Sequence, residues 1–285
     1  MLLKSLKYLV SLLISIYLFK NISKEIFINV DKVKVLLNSP SLLILIIILF
    51  IPIFYLLTKK LIFLVKDIKI IGFKESFSAT LIAYTYNLFL PAKSGDLFRH
   101  KFLGLEISFK NFLNINIIEK IISLLVLVLF VLIGFYSTNI DTYHIFGLNN
   151  LFVYLILIFL IILISIFLLN LSKQNKKFFF LKLFIFDFFI WLLQFLQIFF
   201  IIKVLNININ LFETIFIFGI SIIIGLVPIS IGGFGVRDYI IFLFFSNLAL
   251  EADLFSVLLL FNLRYILPVI VSLFFSFINI YNTKN

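Results

Sequence analysis

The chain alternates between long apolar tracts and short polar connections. A helix needs roughly 20 apolar residues to cross a hydrocarbon core of about 30 Å. Six tracts approach or exceed this length: residues 2–19, 41–57, 112–136, 151–169, 183–202 and 254–278. The pattern predicts one all-α polytopic membrane domain over residues 1–285. The first tract follows a basic start, but it lacks a small-x-small cleavage site, so we expect an uncleaved helix.

Two further apolar segments are too short or too broken to cross. Residues 77–90 amount to about 21 Å of helix and end at Pro91. Residues 211–227 end at Pro228, and a short segment resumes at 239–250. Both segments therefore need a different placement from that of the six tracts.

The charges of the connections predict the orientation. Cytoplasmic loops carry an excess of Lys and Arg. The connection 58–76 holds five lysines and 170–178 holds three, whereas 137–150 has no Lys or Arg and 251–253 is acidic. We expect the first two inside and the last two outside. The four lysines of 20–40 lie outside in this scheme, against the rule.

With this orientation, each short segment starts and ends on the same side of the membrane. Residues 77–110 then form a re-entrant hairpin from the cytoplasm, and 211–250 form one from outside. Each hairpin lies between two spans. The sequence thus predicts an inverted repeat, with repeat one at about 41–136 and repeat two at about 183–278.

The tips of the two hairpins share a pattern. They read "LPAKSGDLFRHKFL" and "VPISIGGFGVRDYIIFL". In each, a proline is followed by glycine after four residues and by arginine after eight or nine. The residues are Pro91, Gly95 and Arg99 in the first and Pro228, Gly232 and Arg237 in the second. Broken segments in corresponding halves indicate a transporter binding site near the midplane.

These residue types suit an anion. Irregular backbone survives at membrane depth only where it is buried in protein or lines a wet cavity. Glycines let successive N–H groups converge on an anion, and Arg is a planar donor for phosphate. The predicted backbone cradle is Gly95, Gly232, Gly233 and Gly235. The predicted phosphate-binding side chains are Arg99, Lys120, Arg237 and Arg264, with possible support from Glu119, Asp187, Asp238 and Asn262.

Structural roles compete with these functional ones. Gly-rich turns also cap hairpins, and Arg237 with Asp238 is equally an ion pair at a helix start. Glu119 and Lys120 suit an interfacial anchor, and Arg264 a buried ion pair without a ligand. The stripe Asp187, Gln194 and Gln197 would line a cavity or join helices by hydrogen bonds. Tyr84, Tyr86 and Asn87 would line the first hairpin or only pack there.

Composition excludes several other classes. The chain is 64% hydrophobic and 13% charged, which is outside the range of a soluble domain. The chain has a net charge of +11. Its basic residues lie in short loops, where lysines attract lipid headgroups rather than nucleic acid. It has no cysteine, and its two histidines lack metal-site spacing, so we expect neither a metal nor another cofactor.

Four stretches together resemble a known family: "NLFLPAKSGDLFRHKFL", "IIEKIISLLVLVLF", "IGLVPISIGGFGVRDYIIFLFF" and "LLLFNLRYILPVIVSLFF". They are similar to the flippase-like membrane domain of lysylphosphatidylglycerol synthases and its stand-alone relatives, from about residue 41 onward. The family usually has Glu-Arg at Glu119-Lys120 and Arg-Glu at Arg237-Asp238. The resemblance implies movement of an anionic or aminoacylated phospholipid between leaflets, without the cytoplasmic domain that makes the lipid in bifunctional members.

We therefore expect a multi-pass protein of a prokaryotic inner membrane that translocates or binds an anionic phospholipid or a polyprenyl-phosphate-linked lipid. We expect no enzymatic activity, and a separate lipid- or glycan-synthesising enzyme as a partner. One alternative is a polytopic glycosyl- or phosphotransferase, although the sequence shows no Asp-x-Asp site and Asp96 and Asp238 stand alone. The other is a non-transporting lipid-binding scaffold.

Overall fold

A computed structural model describes residues 40–103, 108–138, 177–205, 207–227, 235–247 and 260–272, with eight single positions between 153 and 258. In these ranges every regular element is a helix. The α-helices are α1 (Pro40–Val65), α2 (Phe73–Phe89), α3 (Arg99–Phe102), α4 (Phe109–Tyr136), α5 (Lys177–Val204), α6 (Leu211–Gly225), α7 (Val236–Asn247) and α8 (Leu260–Ser272). A 3₁₀ helix, Pro91–Phe98, lies between α2 and α3.

The long apolar helices agree with the predicted tracts. Ile47–Val65, Phe109–Tyr136 and Phe178–Val204 are long and apolar enough to cross a membrane, and α6 and α8 are shorter apolar helices. The predicted span 2–19 lies outside the described residues. Six positions of the predicted span 151–169 are described, and all are helical. The all-helical class is confirmed, whereas the six-span count and the inverted repeat stay predictions.

The helix α1 extends further than its apolar tract. The predicted loop 58–76 includes the last two turns of α1, up to Val65. Within these turns Lys59 is exposed, whereas Thr58, Lys60 and Leu61 are buried. The assignment of Lys60 to a cytoplasmic loop was therefore wrong. A lysine can stay inside a helix bundle when carboxylates meet it there.

The helices form one main core and smaller clusters. The main core joins buried residues of α4, α5, α6 and α7 with the start of α8. A second cluster lies around the end of α1 and the first half of α4. The helix α1 also packs along α5, which brings the first and second halves of the chain together. In lipid, such contacts contribute by van der Waals packing and interhelical hydrogen bonds.

The first hairpin breaks at its proline. Leu90 is extended, with φ −105° and ψ 140°, because the ring of the following proline disfavours helical backbone at the preceding residue. The 3₁₀ helix then packs back against α2. A Cβ added at Gly95 would lie 2.5 Å from Asn87 N and 2.7 Å from Ala83 O. Only a glycine permits this approach of two backbones.

The described elements of the second half come in the order of a long helix, a shorter helix, a short helix and a final helix, which are α5, α6, α7 and α8. An Asn210–Glu213 capping box begins α6, which ends at Gly225. The chain is described again from Gly235, whose φ of 86° is in the left-handed region that favours glycine. Pro228, Gly232 and Gly233 lie outside the described residues, so their predicted roles stay predictions.

Candidate functional site

Six ionisable side chains from both halves of the chain form a continuous network. They are Lys60 on α1, Asp96 on the 3₁₀ helix, Arg99 on α3, Glu119 and Lys120 on α4, and Asp187 on α5. Five are buried, and the side chain of Lys120 is 39% exposed. We call this set the ion network.

Lys60 is at the centre of the ion network. Its Nζ donates to Asp187 Oδ1 at 2.7 Å and lies 3.1 Å from Glu119 Oε1. The other oxygen of Glu119, Oε2, accepts from Arg99 Nη2 at 2.9 Å. The buried lysine therefore links α1 to α4 and α5, and Glu119 extends the link to the first hairpin.

Asp96 holds the other end of the ion network. Its Oδ2 pairs with Lys120 Nζ and lies 3.5 Å from Arg99 Nη2. Its Oδ1 accepts from Asn87 Nδ2 at 3.1 Å. The main-chain oxygen of Asp96 accepts from Arg99 Nε at 3.0 Å and from Asn116 Nδ2 at 3.3 Å. Three cations thus meet three carboxylates, and the formal charge of the ion network is zero.

A second cluster, the arginine pair, lies between α7 and α8. The guanidinium of Arg237 is 4.4 Å from the ring centre of Tyr265 and 4.6 Å from that of Phe261. Its Nη2 donates to Asn262 Oδ1, and its Nε is 3.6 Å from Asp238 Oδ1. Such stacking over aromatic faces suits a guanidinium that is removed from water.

Arg264 is the less satisfied member of the arginine pair. It is only 9% exposed, and its Nη2 donates to Gln194 Oε1 at a long 3.4 Å. Its Nε and Nη1 are buried and have no hydrogen-bond partner among the described residues. Arg264 therefore has two donor positions that no described residue fills.

A cavity lies beside the ion network. It contains about 880 Å³ of empty space, part of it open to the outside, and all six members of the ion network line it. A smaller adjacent cavity is lined by Arg264. Tyr84, Gln194 and Tyr265 line both cavities. Arg264 therefore lies beside the space that the ion network lines.

The structure brings most of the predicted site residues together. Arg99, Glu119, Lys120 and Asp187 meet in the ion network, and Arg237, Asp238, Asn262 and Arg264 meet around the arginine pair. In both halves, the hairpin arginine binds an acceptor on a later helix: Glu119 for Arg99 and Asn262 for Arg237.

The predicted glycines have other immediate neighbours. Gly95 packs against α2, and the N–H of Gly235 donates to Asp238 Oδ2 at 3.1 Å. The amide of Gly235 therefore already has a carboxylate partner from its own helix. Asp96 and Asp238 belong to no cluster of three or more acidic or histidine side chains among the described residues, and each binds neighbouring cationic or amide side chains instead.

The sequence left two roles open for several polar residues. Some of them line a cavity, and one packs against a neighbouring ring. Tyr84, Asn87, Asp187 and Gln194 line the main cavity. Gln197 lines the smaller one. Tyr86 instead stacks on Phe98, with ring centres 4.1 Å apart. The cavity therefore takes residues from the predicted stripe of α5 and from α2.

Sequence reasoning missed Lys60 and Tyr265. Lys60 falls on the same helical face as Leu57 and Leu64, at spacings of three and four residues, and this was a readable sign of its burial. Tyr265 adjoins the singled-out Arg264, but the sequence does not reveal that its ring lies beneath Arg237.

A family model agrees with this architecture. The model of the lysylphosphatidylglycerol synthase TM region matches residues 5–272. A comparison with curated proteins gave no significant match. The match covers most of the chain, including every element that supplies the ion network and the arginine pair. The protein belongs to the lysylphosphatidylglycerol synthase transmembrane family of membrane proteins.

Proposed function

We propose that this protein binds the phosphate of an anionic phospholipid or a polyprenyl-phosphate-linked lipid and moves that lipid between the leaflets of a prokaryotic cell membrane. The observation that carries the proposal is Arg264. It is a buried guanidinium with two nitrogens that lack partners among the described residues, beside a cavity. A charge at membrane depth costs roughly 2.5–3.5 kcal/mol on insertion scales, so it generally marks a functional site.

The charges favour the arginine pair as the phosphate site. The ion network is neutral, and its cations Arg99 and Lys120 are already bound by carboxylates. An anion there would have to displace Asp96 or Glu119. At Arg264 an anion would instead fill two donor positions that have no hydrogen-bond partner among the described residues. The fork of N–H groups on a guanidinium matches phosphate oxygens.

The two halves of the chain suit alternating access. The main cavity takes residues from both halves of the chain. An inverted repeat would let one half rock against the other and expose the phosphate site to each leaflet in turn. The acyl chains would stay in the bilayer. We assign the driving force to ion gradients or to mass action, and we propose no enzymatic step.

Leaflet exchange in proteoliposomes tests this proposal. Purified protein is reconstituted with a fluorescent phospholipid, and dithionite bleaching measures the lipid that reaches the outer leaflet. We expect Arg264→Gln to slow exchange at least tenfold, because it removes hydrogen bonds to a charged group worth about 1.5–3 kcal/mol. Arg264→Lys keeps the charge but not the fork and should be intermediate. Lys74→Gln, at an exposed lysine of α2, is the matched control.

The proposal would be contradicted if Arg264→Gln were monodisperse and still exchanged lipid between the leaflets at the wild-type rate. Two other outcomes favour the alternatives. Turnover of a lipid-linked sugar without leaflet exchange would support a transferase. Lipid binding without either activity would support a scaffold.

A further inference from the structure

The smaller cavity, which Arg264 lines, has two walls of different chemistry. It contains about 350 Å³ of empty space, part of it open to the outside. The polar wall consists of Tyr84, Gln194, Gln197, Arg264 and Tyr265, from α2, α5 and α8. The apolar wall consists of Phe50, Ile53 and Phe54, all from α1. A ligand that fills this space must therefore present a polar group and hydrocarbon close together.

The apolar wall follows from residue spacing on α1. Its three members are three and four residues apart, which places them on one face of the helix. Ile53 and Phe54 are buried, whereas Phe50 is only partly buried and stacks on Phe54 with ring centres 4.2 Å apart. Ile51, which lies off this face, is 63% exposed. A chain that lies on the apolar wall can therefore leave the cavity over Phe50.

Arg264 determines which polar group the ligand must bring. Its Nε and Nη1 are buried donors without a hydrogen-bond partner among the described residues. The side chains of the apolar wall are hydrocarbon and cannot accept a hydrogen bond. Buried donors are almost always satisfied, so the missing acceptor points to a ligand. Phosphate oxygens are suitable acceptors for a guanidinium.

The two lipid classes named above differ in what joins phosphate to hydrocarbon. In a phospholipid, a glycerol with two ester groups lies between them. Ester carbonyls placed against the apolar wall would be buried without donors, which is costly. In a polyprenyl phosphate, the phosphate is attached directly to the first isoprene unit. Only this second arrangement puts hydrocarbon on the apolar wall while the phosphate is still at Arg264.

We propose, on the basis of the function above, that the smaller cavity binds a polyprenyl phosphate, a lipid whose phosphate is joined directly to one hydrocarbon chain. The phosphate binds Arg264, and the first isoprene unit lies on the apolar wall. The rest of the chain passes over Phe50 into the bilayer. Phe50 is then a specificity-determining residue.

Isothermal titration calorimetry of the detergent-solubilised full chain measures binding without any need for transport. The probes are farnesyl phosphate, farnesol, dihexanoyl phosphatidic acid and inorganic phosphate. Farnesyl phosphate and phosphatidic acid both carry a phosphate monoester and differ in the linker between it and the hydrocarbon. Farnesol lacks the phosphate, and inorganic phosphate lacks the chain. These two probes therefore distinguish a lipid site from a site for hydrocarbon or for free phosphate.

We expect the wild type to bind farnesyl phosphate roughly tenfold more tightly than phosphatidic acid, because of the unpaired ester groups. Farnesol and inorganic phosphate should each bind at least roughly tenfold more weakly than farnesyl phosphate. Arg264→Gln should weaken farnesyl phosphate binding by about tenfold or more. Phe50→Ala removes apolar contact and should lower the preference over phosphatidic acid to about twofold. Ile51→Ala, at the exposed neighbour, is the matched control and should keep the preference.

Equal or tighter binding of phosphatidic acid to the wild type would overturn the proposal. So would farnesol or inorganic phosphate that bound as tightly as farnesyl phosphate, or an unchanged preference in monodisperse Phe50→Ala. Undiminished farnesyl phosphate binding by Arg264→Gln would overturn it too. The wild-type comparisons remain decisive even where a variant fails to fold. Absence of the preference in a protein that still exchanges phospholipid refutes only this inference. A clear preference without leaflet exchange of either lipid refutes only the proposed translocation.

Discussion

Replacement of Lys60 by methionine should destabilise the protein more than any change at a neighbouring position of α1. The methionine fills similar space but removes the charge that lies 2.7 Å from Asp187 Oδ1 and 3.1 Å from Glu119 Oε1. Glu119 keeps Arg99 at 2.9 Å. Asp187 loses the only cation with which the described residues pair it. The damage is therefore one uncompensated buried carboxylate.

Two magnitudes bear on the size of this effect. Ordinary interhelical hydrogen bonds in a membrane protein average about 0.6 kcal/mol. Removal of one partner from a buried ion pair costs about 3–5 kcal/mol, because a bare charge remains. The second figure applies here because Lys60 and Asp187 are both buried. We expect a value at its lower end because Glu119 keeps Arg99 as a partner. A loss of about 3 kcal/mol corresponds to a Tm decrease of roughly 6–12 °C.

Thermal unfolding in detergent, followed by size-exclusion chromatography of the remaining folded protein, measures the effect. Lys59→Met is the matched control, since this exposed neighbour should shift the Tm by no more than about 2 °C. The double variant Lys60→Met/Asp187→Leu removes the stranded charge and should recover most of the loss. The reasoning would be refuted if Lys60→Met had the same Tm as Lys59→Met. It would also be refuted if the double variant had a Tm no higher than that of Lys60→Met.

Two glycine substitutions test the hairpins. Gly95→Ala should lower stability by about 1–3 kcal/mol, seen as a lower Tm in detergent, because the new Cβ would meet the backbone of α2 at 2.5 Å. Gly235→Ala should cost roughly 1–2 kcal/mol in the same measurement, because its φ is 86°. Gly72→Ala, where nothing lies within 4 Å, is the control for both, and a similar Tm for all three would contradict the described hairpin geometry.

The sequence was sufficient for the long helices and the first break, because their causes are local. An apolar tract of membrane length predicts a helix without knowledge of its neighbours, and a proline determines where α2 ends. The left-handed φ of Gly235 likewise follows from a glycine-rich stretch at the start of a helix. These features depend on a few consecutive residues.

The ion network was only partly predictable, because its pairs join residues far apart in the chain. Lys60 and Asp187 are 127 positions apart, and no local pattern states that they meet. The charge of Lys60 instead suggested a loop. The sequence identified Arg99 and Lys120 as cations near a site, but not that carboxylates neutralise both. Which arginine keeps donor atoms without a partner among the described residues is a property of the assembled helices.

The contact between Lys60 and Asp187 also constrains how the two halves of the molecule can move. It lies on the seam where α1 of the first half packs along α5 of the second. A movement that widened this seam would separate opposite charges in an apolar environment. A rotation about the seam would leave them together while the hairpins swing on either side. The seam should therefore act as the axis of the proposed rocking movement, and a crosslink across it should be compatible with the proposed transport cycle.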